Sequence, residues 1–147
     1  AAAPQADYNL SAYVGRLRWR SAMDVETRVS QLTGPYVKAW NECDPDNFAA
    51  LWTRDGILWS ALGPEIRGRE AIRAWAAAQG SITGNLVMEP GHCDGFLDAI
   101  FVVGDYIVER WSPGPVFSRG GFTAVLLETG ERMPKMHRLV AFPKRST

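Results

Sequence analysis

Residues 36–78 read YVKAWNECDPDNFAALWTRDGILWSALGPEIRGREAIRAWAAA. The first part of this stretch, which contains Tyr36 and Trp40, is predicted to form the end of a helix that stops at Asp44-Pro45. Residues 46–53 are predicted to form a short second helix. Asp55-Gly56 then opens a strand over residues 56–61. The Ala-rich run 69–79 follows and predicts a third helix, with Ile72, Trp75 and Ala76 facing inward. This stretch therefore predicts a domain in which helices precede most of the sheet.

The segment before it extends the first helix backwards to an N-cap at Asp24. Its inward face consists of apolar residues at helical spacing: Val25, Val29, Leu32, Tyr36 and Trp40. Gly34-Pro35 lies within this pattern, so we expect a kink or a restart of the helix at Pro35.

The segment after it predicts an antiparallel sheet, with strands over residues 85–89, 96–103, 106–112, 116–127 and 135–142. The expected breaks and turns are at residues 90–95, 104–105, 113–115 and 129–131. Gly120-Gly121 within a strand predicts a β-bulge. Helices first and antiparallel strands after them indicate the α+β class, with the helices on one face of the sheet.

Composition limits the class of protein. The 147 residues predict one domain over residues 23–147, preceded by an extended N-terminal arm over residues 1–22. Sixteen basic and sixteen acidic residues cancel, so we expect neither nucleic acid nor a membrane surface as partner. No apolar run approaches the roughly 20 residues that span a bilayer. A cytoplasmic location is expected, and a periplasmic or secreted one stays open.

The metal and thiol chemistry expected from the sequence is sparse. Cys43 and Cys93 are predicted to be small buried thiols, with a disulfide or a catalytic thiol as the open alternatives. No cysteine–histidine cluster indicates zinc, so no metal is expected. No cofactor is expected either.

The order of elements in residues 36–78 resembles the opening of the SnoaL-like, nuclear-transport-factor-two-like superfamily. The resemblance implies a cone-shaped, curved antiparallel sheet wrapped around the N-terminal helices, with a pocket between the first helix and the concave face. This superfamily includes isomerases, cyclases, dehydratases, epoxide hydrolases and members without catalysis. The resemblance therefore implies a fold without naming a reaction.

Two branches of the superfamily can be compared residue by residue. In the ketosteroid-isomerase branch, Tyr36 matches the oxyanion-hole tyrosine, but Ser60 and Thr123 stand at or near the positions of the two aspartates. In the limonene-epoxide-hydrolase branch, Arg110 matches the arginine, but Ser112 replaces one aspartate, and the other would fall near His137 or Arg138. Both mechanisms need carboxylates that the chain lacks there, so both reactions are disfavoured.

The family resemblance and the alternation of strand residues together indicate a set of pocket residues. Tyr36, Arg110 and His137 are the catalytic candidates, because a phenol and a guanidinium stabilise an oxyanion while an imidazole moves a proton. The candidates for substrate binding are Trp40, Leu58, Ser60, Asp98, Tyr106, Val108, Ser112 and Thr123. Residues alternating with these would lie on the convex face, namely Trp59, Ile107 and Trp111, and we expect a homodimer through that face.

Two functions remain open at this point. One is a small cofactor-independent enzyme (a cyclase, dehydratase, isomerase or lyase) that transfers protons on an apolar, aromatic or polycyclic substrate. The other is a non-catalytic module of the same fold that binds a small molecule or dimerises. A wet pocket that brings Tyr36, Arg110 and His137 together would favour the enzyme. A dry apolar pocket with His137 pointing outward would favour the module.

Overall fold

A computed structural model describes residues 22–60, 63–79, 85–111 and 115–144, including all side chains except those of residues 22–23, 110–111 and 115–118. The predicted arm over residues 1–22 therefore lies outside the described residues, apart from the backbone of its last residue. Within these described ranges there are three helices: α1 (Ala22–Asn41), α2 (Pro45–Ala50) and α3 (Arg69–Gln79). The strands are β1 (Trp52–Trp59), β2 (Glu65–Arg67), β3 (Leu86–Phe96), β4 (Ala99–Trp111), β5 (Pro115–Leu127) and β6 (Lys135–Pro143).

The six strands form one curved, unclosed sheet in the order β2-β1-β6-β5-β4-β3. Neighbouring strands are antiparallel except β1 and β6, which run parallel. The large buried side chains of α1, α2 and α3 pack against the concave side, among them Leu32, Phe48 and Ile72. This arrangement confirms the predicted α+β cone, in which helices cover one face of the sheet.

Helix α1 runs without interruption through Gly34-Pro35. The predicted restart at Pro35 is therefore wrong. A proline inside a helix costs about 3 kcal/mol because it removes one hydrogen bond and crowds the preceding turn. Here Leu32 and Tyr36, on either side of it, are both buried in the same core, and continuous burial of that face offsets the cost.

Helix α2 is shorter than the sequence suggests. It begins with Pro45 at its first turn, and the Asp44 carboxylate accepts a hydrogen bond from the Asn47 N–H at 3.1 Å. It ends at Ala50, and Trp52 already belongs to β1. Trp52 is fully buried, with its ring centroid 6.4 Å from that of Phe48. Core packing of this indole thus overrides the local helix pattern and starts the strand early.

In the β3–β4 hairpin, the two breaks predicted at residues 90–95 and 104–105 are absent. Residues 90–95 continue β3 with a register shift between Pro90 and His92, and Gly104 lies in the middle of β4. The reversal occurs instead at Leu97-Asp98, where Leu97 has a positive φ of 55°. Proline and glycine here mark an irregularity in long strands rather than their ends.

The glycine pair of β5 also differs from its prediction. Gly120 and Gly121 stay in regular register with both neighbouring strands, so the predicted bulge there is wrong. A Cβ on Gly120 would lie 2.5 Å from the Tyr106 ring, and one on Gly121 would meet the ring of Phe142. These glycines leave room for aromatic rings on the two faces of the sheet. The bulge of this region is instead at His137, where the β5–β6 register shifts.

Candidate functional site

A cavity of about 120 Å³ lies between the helices and the concave face of the sheet. Its wall is mainly aromatic and aliphatic and is formed by Tyr36, Trp40, Leu58, Ser60, Trp75, Gln79, Leu86, Met88, Tyr106, Val108, Phe122, Leu139 and Ala141. Helices α1 and α3 and all strands except β2 contribute residues to this wall, and Ser60 directly follows β1. The cavity therefore exists only in the folded cone.

The helical side of the cavity is built from aromatic rings that contact one another at tilted angles. Tyr36 and Trp40 lie four residues apart on α1, which places them on one face of that helix. The Trp40 and Trp75 ring centroids are 5.4 Å apart, and those of Tyr36 and Phe48 are 4.7 Å apart. Such tilted contacts fix the orientation of each ring. The rings thus form a firm apolar surface.

The sheet side depends on pairs of a glycine opposite an aromatic residue. Tyr106 of β4 pairs with Gly120 of β5, and Phe122 of β5 pairs with Gly104 of β4. A Cβ on Gly104 would lie 2.9 Å from the Phe122 ring. Each ring therefore occupies the space beside the opposite glycine, and the two pairs together shape the floor of the cavity.

The side-chain polar groups of the wall are three hydroxyls, one amide and two indole N–H groups, those of Tyr36, Ser60, Tyr106, Gln79, Trp40 and Trp75. No charged side chain lines the cavity among the described residues. Tyr36 is only 4% exposed, and this burial raises the pKa of its phenol because the charged phenolate is disfavoured in an apolar environment. Tyr36 therefore stays protonated near neutral pH and can donate a hydrogen bond.

The structure places six of the candidates from the sequence on this wall, namely Tyr36, Trp40, Leu58, Ser60, Tyr106 and Val108. The side chain of Arg110 and all of Ser112 lie outside the described residues. Trp75 of α3, predicted to face inward, also lies on the wall, whereas sequence reasoning missed Gln79, although its spacing of four from Trp75 shows that the two share a face. It also missed Leu86, Met88, Phe122, Leu139 and Ala141, whose alternation on their strands carries the same information.

His137 does not line the cavity, so its expected meeting with Tyr36 is corrected. Leu126 pairs with Met136 and Val125 with Arg138, which leaves His137 as the extra residue of a bulge. Its Nδ1 lies 2.8 Å from the Thr53 hydroxyl and 3.9 Å from an Asp55 carboxylate oxygen. Both neighbours face the same ring nitrogen, whereas a catalytic triad needs them on opposite nitrogens.

The surroundings of His137 disfavour its charged form. Partial burial lowers the pKa of the imidazole, and the positive charge of Arg138 lowers it further, while Asp55 acts in the opposite direction. The imidazole is therefore largely neutral at pH 7, and its role in the described structure is a hydrogen bond between β6 and β1.

Thr123 and Asp98 also lie away from the cavity. Thr123 is exposed, because Phe122 and Ala124 on either side of it are buried and strand residues alternate between faces. Asp98 is exposed in the β3–β4 turn. Neither residue adds a carboxylate or hydroxyl to the cavity, and the inward placements expected for them are wrong.

Cysteine and metal chemistry play no visible part in the site. Cys43 is exposed and Cys93 half-buried, so the expected burial fails for Cys43, and neither cysteine forms a disulfide within the described residues. Within the described ranges, no group of three histidine, cysteine, aspartate or glutamate side chains is placed to hold a metal ion. Among the same residues, no helix is long and apolar enough to cross a membrane.

Comparison with known proteins places this architecture. Residues 35–134 match the model of the SnoaL-like domain. A Mycobacterium tuberculosis protein of unknown function has a TM-score of 0.75 at 19% identity, covering 83% of this chain and 77% of that one. A dehydratase candidate of the NTF2-like family from Streptomyces avermitilis has a TM-score of 0.73 at 18% identity, covering 84% and 98%.

A ketosteroid isomerase-like protein from Erwinia carotovora atroseptica has a TM-score of 0.68 at 15% identity, covering 86% of this chain and 100% of that one. No curated protein matches the chain in sequence. At such low identities the solved structures share only the fold with this chain. The family model covers more than half of the chain, from the last turns of α1 to the residue before β6. The chain therefore belongs to the family of SnoaL-like domains.

Proposed function

We propose that the cone binds a small, uncharged, mainly apolar molecule. The observation that carries this proposal is the neutrality of the wall, which has hydroxyl and amide groups but no charged side chain among its described residues. A charged ligand would lose its hydration without gaining an opposite charge, which costs several kcal/mol. A neutral ligand can instead exchange hydrogen bonds with Tyr36 or Ser60.

The volume of the cavity sets the size of the enclosed part of the ligand. An apolar cavity of about 150 Å³ holds benzene, so the 120 Å³ here suits about one aromatic ring. Trp40 and Trp75 offer ring faces and edges against which an aromatic ligand can stack. A polycyclic ligand would extend beyond the enclosed volume. The proposed ligand is therefore a single ring, or one ring of a larger apolar molecule.

The test uses Trp40 and Trp75 as fluorescent reporters in the wall. Toluene and phenol are titrated as neutral probes, and benzoate as a charged probe of similar size. We expect saturable quenching by toluene and phenol and none by benzoate. Ala141→Phe, which fills the cavity, should abolish the quenching. The matched control is Ala74→Phe on the exposed face of α3, which should bind as wild type.

Two results would contradict the proposed binding in the cavity. Binding of benzoate as tightly as toluene would contradict the neutral cavity. Equal binding by the Ala141→Phe and Ala74→Phe proteins would place the ligand elsewhere. Unfolding curves of both variants show whether either change has simply disrupted the fold.

Proton-transfer catalysis on such a ligand is the second candidate function. It is favoured by the descriptions of the structural neighbours as a dehydratase candidate and a ketosteroid isomerase-like protein. The titratable groups on the described wall are the phenols of Tyr36 and Tyr106. We therefore expect any such activity to fall with Tyr36→Phe and to be unaffected by His137→Ala. A loss of activity with His137→Ala at unchanged stability would restore the histidine to the mechanism.

We also propose that the convex face pairs with a second copy of the chain. Four large apolar side chains from β4 and β6 are 38–49% exposed on this face: Phe101, Val103, Val140 and Phe142. Exposed apolar residues grouped on one face are typical of an interface between proteins. Of the residues expected there from the sequence, Trp59 and Ile107 are half-buried, and the side chain of Trp111 lies outside the described residues.

A further inference from the structure

A second concave surface lies on the outside of the cone, where β2, β1 and β6 adjoin. This crevice has a volume of about 650 Å³ and is lined by Arg54, Asp55, Ile57, Arg67, Gly68 and Arg138. Three of its six residues are arginines and one is acidic, whereas the internal cavity has no charged residue on its described wall. The two surfaces therefore suit different classes of ligand.

The sheet register brings two of the arginines together. Ile57 of β1 pairs with Arg67 of β2 on one side and with Arg138 of β6 on the other. Residues directly opposite one another share a face, and neighbouring strands lie about 4.8 Å apart. Leu58 points into the cone, so Ile57 and its two arginine neighbours point outward. Ile57 is thus the apolar floor between two guanidinium side chains.

The third arginine comes from an irregularity in β1. Trp52 pairs with Met136 and Ile57 with Arg138, so four residues of β1, 53–56, correspond to the single residue His137 in the register of β6. The extra residues stay within β1, and Arg54 and Asp55 among them line the crevice.

The charges in the crevice are not balanced. The Arg67 guanidinium is paired with the carboxylate of Glu65. Arg138 donates from Nη1 to the backbone carbonyls of Asp55 and His137, at 3.1 and 2.9 Å, and forms no ion pair with any described carboxylate. Arg54 is exposed and likewise has no ion pair within the described part of the chain.

The two carbonyl contacts orient Arg138 without neutralising it. They use Nη1, and within the described part of the chain Nε and Nη2 form no hydrogen bond, so these two nitrogens can form the two parallel hydrogen bonds by which a guanidinium holds a carboxylate or phosphate. Asp55 is the one acidic residue of the lining, and its carboxylate lies near His137, with 82% of the side chain exposed. An anion entering the crevice would therefore meet an excess of positive charge.

We propose that this outer crevice binds a small oxyanion group, a phosphate or a carboxylate, between Arg54 and Arg138, with Arg67 at its edge. The guanidinium groups supply paired N–H donors, and the apolar floor at Ile57 lowers the local dielectric constant and strengthens these contacts. This site is separate from the internal cavity, and the proposal stands whether or not the cavity binds an apolar ligand.

The experiment titrates the isotope-labelled protein with inorganic phosphate and, separately, with succinate, while sodium chloride keeps the ionic strength constant. Amide signals of Gly68 and Arg138 report binding by nuclear magnetic resonance. We expect saturable shifts at these positions with at least one of the two anions. The anion that binds more tightly identifies phosphate or carboxylate as the preferred group.

Three substitutions make the result specific. Arg54→Gln and Arg138→Gln should each weaken binding about fivefold or more, the loss of one charge-assisted contact at a partly exposed site. Arg119→Gln removes an exposed arginine elsewhere on the sheet and should leave the affinity unchanged. Because Arg54 has no contact with a described carboxylate, its replacement should not unfold the protein even if Arg138→Gln does.

Two outcomes would overturn the proposal. One is the absence of saturable shifts at Gly68 and Arg138 with both anions. The other is an equal loss of affinity in the Arg119→Gln and Arg54→Gln proteins, which would mean general attraction to the surface rather than a site. Constant ionic strength matters here because simple screening also changes with added salt.

Discussion

The ring of Tyr106 lies directly over Gly120 on the neighbouring strand, so that a Cβ on this glycine would fall 2.5 Å from the ring carbon Cζ. Gly120, which has no side chain, thus leaves the space that the Tyr106 ring fills. Tyr106 is a wall residue of the internal cavity, and the shape of that cavity therefore depends on the absence of a side chain at Gly120.

Gly120→Ala should destabilise the protein and distort the cavity. Inserting a methyl group into such a contact costs about 1–3 kcal/mol because the ring must move. Urea unfolding measures the loss of stability, and toluene titration the loss of affinity. The control is Gly34→Ala in α1, where no atom lies within 4 Å of the added Cβ. That change should stabilise the protein by about 0.5–1 kcal/mol. Equal stabilities of the Gly120→Ala and wild-type proteins would show that the contact imposes no constraint.

Glu128→Gln should weaken the attachment of α1 to the sheet. Arg28 of α1 donates from Nε and Nη2 to the two carboxylate oxygens of Glu128, at 2.7 and 2.6 Å, and both side chains are about three-quarters or more buried. This hydrogen bonding raises the pKa of the Arg28 guanidinium. Breaking such a bidentate pair should cost about 1–2 kcal/mol.

Urea unfolding at low and high salt measures this cost. Glu26→Gln on the exposed face of α1 is the matched control and should change stability little. If Glu26→Gln and Glu128→Gln destabilise the protein equally, the effect comes from net charge and not from the ion pair.

His137→Gln should alter how stability depends on pH. The folded protein holds the pKa of His137 below its ordinary value of 6.5, so on acidification the unfolded chain takes up this proton first. The free energy of unfolding therefore falls as the pH drops from 6.5 through the lowered pKa, and is fully present above 6.5. The variant should lack this part of the decline.

Unfolding by urea at a series of pH values between about 8 and 5 checks this, as a difference between wild type and variant. The difference removes the contributions of the other titrating groups. Parallel curves for the two proteins would show that the partial burial of His137 has no energetic consequence. Binding of toluene should be the same in both proteins, because His137 lies outside the cavity.

Val103→Glu should separate the two copies of the proposed dimer. Val103 is 49% exposed, and it pairs with Thr123, which in turn pairs with Val140, in a row across the convex face. Two glutamates facing each other in a closed interface would be costly to bury. Light scattering should give twice the mass of one chain for wild type and the mass of one chain for the variant. Thr129→Glu, in an exposed loop, is the control. A monomeric wild type would contradict the proposed dimer.

Sequence-based prediction of this fold succeeds where a local pattern fixes the structure and fails where long-range packing does. Residues 69–79 form the predicted helix α3, since a run of good helix formers ending near glycine specifies a helix locally. The turn expected at Gly104-Asp105 is absent, because Gly104 accommodates the ring of Phe122 from another strand. A glycine has the same appearance in a sequence whether it serves a turn or a contact.

The amino-acid sequence by itself determined the α+β class, the family resemblance and six residues of the cavity wall, because helix spacing, strand alternation and the order of elements are local properties. Only the tertiary structure decided where His137 points. His137 is itself the extra residue of a bulge between Met136 and Arg138, and it therefore points away from the cone. That bulge exists only through pairing with β5 and β1. The outer crevice depends in the same way on three strands brought side by side. Register is a relation between distant segments, and a one-residue shift exchanges the two faces of a strand.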